Sequence, residues 1–390
     1  MSPESIIANE QTENSQQDMK WKPETGERVV AAMSGGVDSS LMAKLLLEQG
    51  YDVIGVTMKL WTYEAVGGNR RAADSNCCSV EEINDARMVC QQLGIPHYVL
   101  DFSESFHSTV VQNFVSEYLN GSTPNPCVLC NSRVRWVALL DRVEDFGAEF
   151  IATGHYARRR FNQNTGAMEL LRGKDPKKDQ SYVLWGVNQE LLRRTIWPLG
   201  DYTKHQVRQQ AHSGRLHTAN RPESFEICFV TDNDYRRFLR EYAPDRMADI
   251  PEGEIVDTEG QVLGTHQGYP NYTIGQRHGL GIAVGEPVYV KAILPESNRI
   301  VVGRKEEVLA TDCEVSGVHW TSGRAFEAPV EATVAIRYNH RGARATVTPT
   351  GNGSARIRFQ TPQHAITPGQ SAVFYRDDLV LGGGFIKRTA

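Results

Sequence analysis

At 390 residues, 40% hydrophobic and 23% charged, the chain has the usage of an ordinary globular protein and the length for two or three domains. Its net charge of −5 excludes an indiscriminate nucleic-acid binder, which needs a strongly basic field, but leaves a local basic patch open. No apolar run reaches the ~18–20 residues of a membrane span, and seven cysteines, an odd number without an export signal, fit a reducing, cytoplasmic setting better than a disulfide framework.

Residues 1–27 read as a polar, disordered tail carrying Glu4, Glu10, Glu13 and Asp18. From Arg28 to Met33 a short apolar run predicts a buried parallel strand, followed by a Gly-rich loop and a helix over 39–49 that Gly50 ends. Asp52–Thr57 is a second strand, 80–93 a helix stopped at Gly94, and His97–Asp101 a strand. Helices near 105–119 and 132–146 and a strand at 150–153 follow. This alternation predicts a doubly wound α/β domain with a parallel sheet over 28–222. A Gly-, Pro- and aromatic-rich stretch, 223–292, reads as a small, mostly-β central domain. Strand-like runs separated by turns then predict an antiparallel β-barrel over 293–390.

The loop Ser34-Gly35-Gly36-Val37-Asp38-Ser39-Ser40 carries the first chemistry. Two glycines let backbone N–H groups converge on an anion, and the following helix adds its positive end. The serines add hydroxyl donors, and Asp38 can hold Mg²⁺ or a loop amide. There is no Gly-Lys-Ser/Thr ending, so this is not the loop of kinases and GTPases. The string resembles the signature of the N-type ATP pyrophosphatases (adenine nucleotide alpha hydrolase-like), which cleave ATP between the α and β phosphates.

Further segments narrow the resemblance: Thr123–Asn131, Ala152–Tyr156, Lys178–Tyr182, Glu226–Phe229, Tyr272–Arg277, Arg337–Tyr338, Thr367–Val373 and Leu381–Gly384, in this order. The set resembles the tRNA-specific 2-thiouridylases from about residue 28 to 386. That resemblance implies an ATP-dependent sulfurtransferase that adenylates the wobble uridine, position 34 of the tRNA, at O2 and replaces that oxygen with sulfur. It implies ATP contacts from Ala32, Met33, Ser34, Gly35, Gly36, Val37, Asp38, Ser39, Met58 and Gly154. It implies tRNA contacts, in the anticodon stem-loop, from Asn125, Pro126, Cys127, His155, Lys178, Asp179, Gln180, Arg337, Tyr338 and Gln370. Cys228 is expected to carry a persulfide and Cys130 to be its nucleophilic partner, with a transient disulfide between them or release of sulfide. The partners implied are a persulfide donor, such as a cysteine desulfurase or sulfur-relay protein, and an external reductant; the family points to a monomer.

Many family members carry Asp where this chain has Cys127. With Cys130 and Cys228, Cys127 would supply three thiolates for a [4Fe-4S] cluster with one open iron site. Cys90 and Cys313 read as structural, and the pair Cys77-Cys78 has no assigned role. Basic clusters at Arg158–Arg160, Lys174, Lys177-Lys178, Arg193-Arg194, Arg236-Arg237 and Arg240 are candidates for phosphate contacts. Competing readings are a 4-thiouridine synthase, an amidating synthetase of the same loop class, a non-catalytic RNA-binding protein, and a redox module built on Cys127 and Cys130.

Overall fold

The computed structural model describes residues 21–61, 80–222, 227–230 and 232–387. The first strand, β1 (Arg28–Ala32), is apolar and fully covered after Arg28, as a central parallel strand must be. It is flanked by β2 (Asp52–Lys59) on one side and β4 (Phe150–Ala152) on the other; β3 (His97–Asp101) lies outside β2, and the short strand Thr195–Ile196 lies outside β4. The chain runs outward from β1 to β3 and then crosses to the opposite side. The strand order therefore reverses beside β1, and a crevice opens between the C-terminal ends of β1 and β4.

Helix Val37–Glu48 follows β1 and buries Leu41, Leu45 and Leu46, and Gly50 takes the positive φ that ends it. The helix expected over 132–146 starts six residues earlier, at Pro126, whose missing N–H suits the first helical turn. Its backbone passes from α-helix (Pro126–Leu129) through a π-helical stretch (Cys130–Arg135) back to α-helix (Trp136–Val143). A second π stretch, His107–Val111, packs against it. A hairpin, Ala157–Asn162 with Ala167–Arg172, was not foreseen in the arginine-rich sequence.

Four strands, Gly253–Val256, Val262–His266, Tyr289–Leu294 and Arg299–Gly303, form the small central sheet. Six antiparallel strands between Leu309 and Ile386 then close on themselves, the first (Leu309–Trp320) pairing with the last (Leu379–Ile386). Closure removes the exposed edges. The expected fold class, a parallel α/β domain followed by a small mostly-β domain and an antiparallel barrel, is the one observed. The hairpin extends the barrel sheet through Leu171 and Leu379, and Val373, Tyr375 and Val380 of the barrel share one core with Ile151, Leu184 and Trp185. Gly383 permits that approach: a Cβ there would sit 2.7 Å from the Trp185 ring.

The last residues of the expected tail lie against the first domain, where Trp21 stacks on Phe161 with ring centroids 6.3 Å apart and Gly26 N–H donates to Gly50 O. An aromatic ring with a partner to cover is the physical reason. Residues 1–20, Cys77-Cys78 and Glu226 lie outside the described residues.

Candidate active site

The Gly-rich loop occupies the crevice mouth. Gly35 has φ +74°, and a Cβ there would lie 2.3 Å from the Glu82 carbonyl, so only glycine fits. Gly36 is the helix N-cap and offers no side chain to the first-turn amides. Ser39 Oγ accepts from Ser34 N–H at 3.2 Å and donates to Gly36 O at 3.1 Å, which folds the loop over the helix end. Ser40, expected to face an anion, instead donates inward to Gly36 O and accepts from Thr218 at 2.7 Å. Asp38 accepts from Tyr156 Oη at 2.7 Å and pairs with Lys204 Nζ through both oxygens, at 2.7 and 2.8 Å.

Two cavities meet at Ser34 and Asp38. The smaller, about 190 Å³, is lined by Ala32, Met33, Ser39, Met58 and Gly154, with Trp136 closing one side. It gathers seven of the ten residues expected to hold ATP. Met58 is within β2 rather than just after it. Gly154 touches the loop directly: a Cβ there would lie 3.1 Å from Asp38 C and Ser39 N. Thr57 Oγ1 bridges Met33 O and His97 Nε2, fixing the cavity floor.

The larger cavity, about 900 Å³, takes Gly36 and Val37 from the loop and the thiols of Cys127, Cys130 and Cys228. It also takes Asn125, Pro126, His155, Lys178, Gln180 and, from the barrel, Tyr338. Cys127 and Cys130 stand three apart on the helical segment, and Cys228, in the turn Ile227–Val230, lines the same cavity. The helix had been expected to begin after these cysteines; a π-helical stretch starting at Cys130 is a frequent feature of functional sites.

Arg135 lines both cavities and sets their electrostatics. His155 has its pKa pushed down to about 3, first by burial and then by the Arg135 charge, so it is neutral. Its Nδ1 shares a hydrogen bond of 2.9 Å with Thr153 Oγ1, and its ring packs 5.1 Å from Trp136. Protein crowding raises the Cys127 pKa, and Arg135 partly opposes that rise. Burial also raises the Tyr338 phenol, as do the charges of Asp179 and Cys127.

Three expected tRNA-contacting residues do not line either cavity. The Asp179 carboxylate is turned inward and accepts from Arg172, the Gly173 and Ser181 amides and the Ser181 hydroxyl, all within 3.0 Å. Gln370 Nε2 donates to Thr123 O and Pro124 O at 3.1 and 2.9 Å, clamping the barrel onto the segment before Cys127. Arg337 is exposed beside Tyr338 and donates to His364 O. Among the described residues no three His, Cys, Asp or Glu side chains converge as a metal-ligand set. Cys127, Cys130 and Cys228 thus line one cavity without forming a three-thiolate seat for a cluster in this arrangement.

Sequence reasoning missed Lys204, Arg135 and the group formed by Arg221, Glu82 and Asp85 beside the loop. Lys204 had a signal. Thr203 and Gln206 form a capping box, which puts Lys204 at the first position of helix Lys204–Ser213, where a cation is unfavourable. A lysine kept there points to a role elsewhere. Arg135 and Arg221 come from positions whose meaning arises only when the segments meet.

Family models match almost the whole described chain: a tRNA methyl transferase HUP domain over 27–232, a tRNA methyl transferase PRC-barrel domain over 236–304 and an aminomethyltransferase beta-barrel domain over 310–386. The tRNA-specific 2-thiouridylase MnmA of Carboxydothermus hydrogenoformans is 49% identical over 364 residues, 93% of this chain and 98% of that protein. The protein of the same name from Salinibacter ruber is 48% identical over 360 residues, 92% and 94% of the two chains. With relatives this similar end to end, the chain belongs to the tRNA-specific 2-thiouridylase family.

Proposed function

We propose that the protein is an ATP-dependent tRNA-uridine 2-sulfurtransferase that thiolates the wobble uridine at C2. The observation that carries this reading is that Cys130 and Cys228, about a hundred residues apart, line one cavity that opens onto the loop Ser34–Ser40. Neither amidation nor passive RNA binding needs that pair. Methyl transfer, the activity in two of the domain descriptions, needs neither the thiols nor a pyrophosphate loop.

ATP occupies the smaller cavity, with its adenine near Met58 and Gly154 and its phosphates on the loop. Mg²⁺ arrives with ATP, and Asp38 is the carboxylate able to share it. The uridine enters the larger cavity between Asn125, Pro126 and Cys127 and the phenol of Tyr338, with its stack opened. Uridine O2 attacks the α-phosphorus, and pyrophosphate leaves into the amides of the loop and the charge of Lys204. Neutral His155 and Gln180 border both substrates. Lys178 and Arg337 meet the anticodon stem-loop, while Asp179 and Gln370 act by holding their neighbours in position.

Cys228 is loaded with a sulfane sulfur by a cysteine desulfurase or a relay protein. In one route the terminal sulfur attacks C2, and Cys130 then attacks Cys228 Sγ; AMP leaves, and a Cys130–Cys228 disulfide remains. In the other, Cys130 first frees HS⁻, which attacks C2, leaving the same disulfide. Both routes consume two electrons from an external reductant per turnover, which fits a reducing, cytoplasmic setting. The test is Cys228→Ser with ATP, Mg²⁺, tRNA and a persulfide donor. Mass spectrometry of nucleosides should find no 2-thiouridine, while tRNA-dependent pyrophosphate release persists. Thiolation at the wild-type rate in this variant would sink the reading.

A further inference from the structure

A groove of about 590 Å³ shares no lining residue with either catalytic cavity. It runs between helix Tyr235–Tyr242, the short helix Pro244–Ala248 and the segment around Tyr272. The stretch Tyr272–Arg277 lines neither catalytic cavity; Tyr272, with Asn271 before it and Gly279 beyond it, forms one wall of this groove. Helix Tyr235–Tyr242 has two faces. Phe238 turns inward onto Phe229, ring centroids 5.4 Å apart, in the core beside Cys228. Arg236 and Arg240, one turn apart, line the groove. Arg237, between them in sequence, is held by Asp232 and Glu241 at 2.8 and 2.7 Å, whereas among the described residues no carboxylate pairs with Arg236 or Arg240. Arg236 is aimed without being neutralised. Its Nε donates to Asn271 O at 2.7 Å, and its guanidinium lies 5.5 Å from the Tyr235 ring centroid. That bond uses one N–H and leaves the Nη edge, which meets an oxyanion through two parallel bonds. Its charge also reaches the Tyr272 phenol, where it opposes the upward push of burial on the pKa.

We infer that this groove is a further tRNA contact, holding sugar–phosphate backbone from beyond the anticodon loop; this rests on tRNA being the substrate, as proposed above. A chain of net charge −5 can hold a polyanion only where its cations are not already neutralised, and Arg236 and Arg240 are two such cations on one face. At i and i+4 their Cβ atoms lie about 5–6 Å apart, so the two guanidiniums serve neighbouring phosphates of one strand. Arg277 and His278, both exposed, come just before Gly279 and extend the rim. Pro244, Met247 and Tyr272 supply an apolar floor for the ribose faces between phosphates. The packing of Phe229 on Phe238 lies between the groove and the Cys228 turn. A nucleotide whose base is in the catalytic cavity therefore does not fill the groove, which takes backbone from further along the RNA. Such a contact reads no base; it fixes the orientation of the tRNA without selecting its sequence.

The test measures binding of an unmodified tRNA transcript to the full-length enzyme over about 50–200 mM salt. Replacing Arg236 and Arg240 together with Ala should flatten the slope of log K against log salt by about 1.4–1.8, and Arg240→Ala alone by about 0.7–0.9. Arg246→Ala removes an exposed charge from the neighbouring helix outside the groove and should leave the slope as it is. An oligonucleotide of the anticodon loop alone should bind the wild type and the double variant with the same slope. Thermal melts followed by circular dichroism report whether loss of the Arg236–Asn271 bond unfolds the helix; Arg240→Ala breaks no such bond and then carries the test. An unchanged tRNA slope in the Arg236 and Arg240 variants overturns the proposal. So does equal flattening by Arg246→Ala, or flattening for the loop oligonucleotide. If the tRNA slope stands while sulfur transfer from a persulfide-loaded cysteine desulfurase slows in the double variant, the groove docks a protein and the proposal falls. None of these binding measurements needs turnover. Failure of the sulfurtransferase reading would look different: the wild type would bind tRNA with its full salt dependence and make no 2-thiouridine.

Discussion

Lys204 stands where the Gly-rich loop meets the larger cavity. Its ammonium is largely covered, pairs with both Asp38 oxygens, and borders the larger cavity. Asp38 and Lys204 neutralise each other; on the proposed adenylation, Mg·ATP would give the carboxylate a metal to share and the ammonium a leaving pyrophosphate to meet. On that proposal its worth is greatest as the α–β bond breaks and charge gathers on the leaving group. Lys204→Met should lower the rate of tRNA-dependent pyrophosphate release by about 10²–10³-fold, with Lys204→Arg falling between. Pyrophosphate assays at saturating ATP check this, and a loss confined to the ATP KM would instead mark Lys204 as a ground-state binder. His155 makes a complementary case. A pKa near 3 keeps it neutral, so between pH 5 and 8 it changes charge in neither direction. Replacing it with Gln should leave the shape of the pH–rate profile over that interval unchanged, whatever happens to its height.

At the scale of elements, the strand–loop–helix unit is held by a contact that sequence alone does not reveal. Gly35 faces the backbone of Glu82, in helix Val80–Leu93, at a distance no side chain tolerates. Gly35→Ala should raise the KM for ATP by about ten- to a hundredfold, corresponding to roughly 1–3 kcal/mol of backbone strain at a positive φ. Steady-state kinetics check it, and unchanged KM would mean that the loop can relax. The unit itself was legible because its signals are local: an apolar strand, two glycines, a helix closed by Gly50. The start of the helix bearing Cys127 and Cys130 was less so, because Pro124 and Pro126 read as loop until Pro126 is recognised as a first-turn residue. The hairpin 157–172 was illegible for a different reason. Arg159 is a core-facing residue of a strand, its guanidinium donating to Leu192 O and Arg193 O, with burial lowering its pKa to about 10. Three consecutive arginines hide the alternation that marks a strand. The cavity lining was partly legible through the quoted motifs. Lys204, Arg135 and Arg221 were not, because their roles depend on which elements meet at the crevice.

At the scale of the molecule, an acidic chain has to hold a polyanion, and its basic residues are not equally able to do so. Arg158 pairs with Asp378 at 2.8 Å, and Arg160 with Glu169 at 2.6 Å. Arg193 and Arg194 donate to backbone carbonyls, and Arg237 is held by Asp232 and Glu241. These arginines are already engaged within the fold, the Arg158 pair tying the hairpin to the barrel. Lys174 and Lys177, in contrast, are exposed and come just before Lys178, which lines the larger cavity. A phosphate contact releases a counterion, and each one contributes about 0.7–0.9 to the slope of log K against log salt. Removing an arginine already neutralised by a carboxylate releases none. Replacing Lys174 and Lys177 together with Ala should therefore flatten the salt dependence of tRNA binding by about 1–2 units of slope while leaving the ATP KM unchanged. Arg160→Ala should leave that slope as it is. Filter-binding titrations of tRNA at several salt concentrations distinguish the two. Equal flattening by both changes would mean that the Arg160–Glu169 pair opens on the tRNA, and that the basic face of the enzyme extends across the hairpin rather than stopping at the mouth of the cavity.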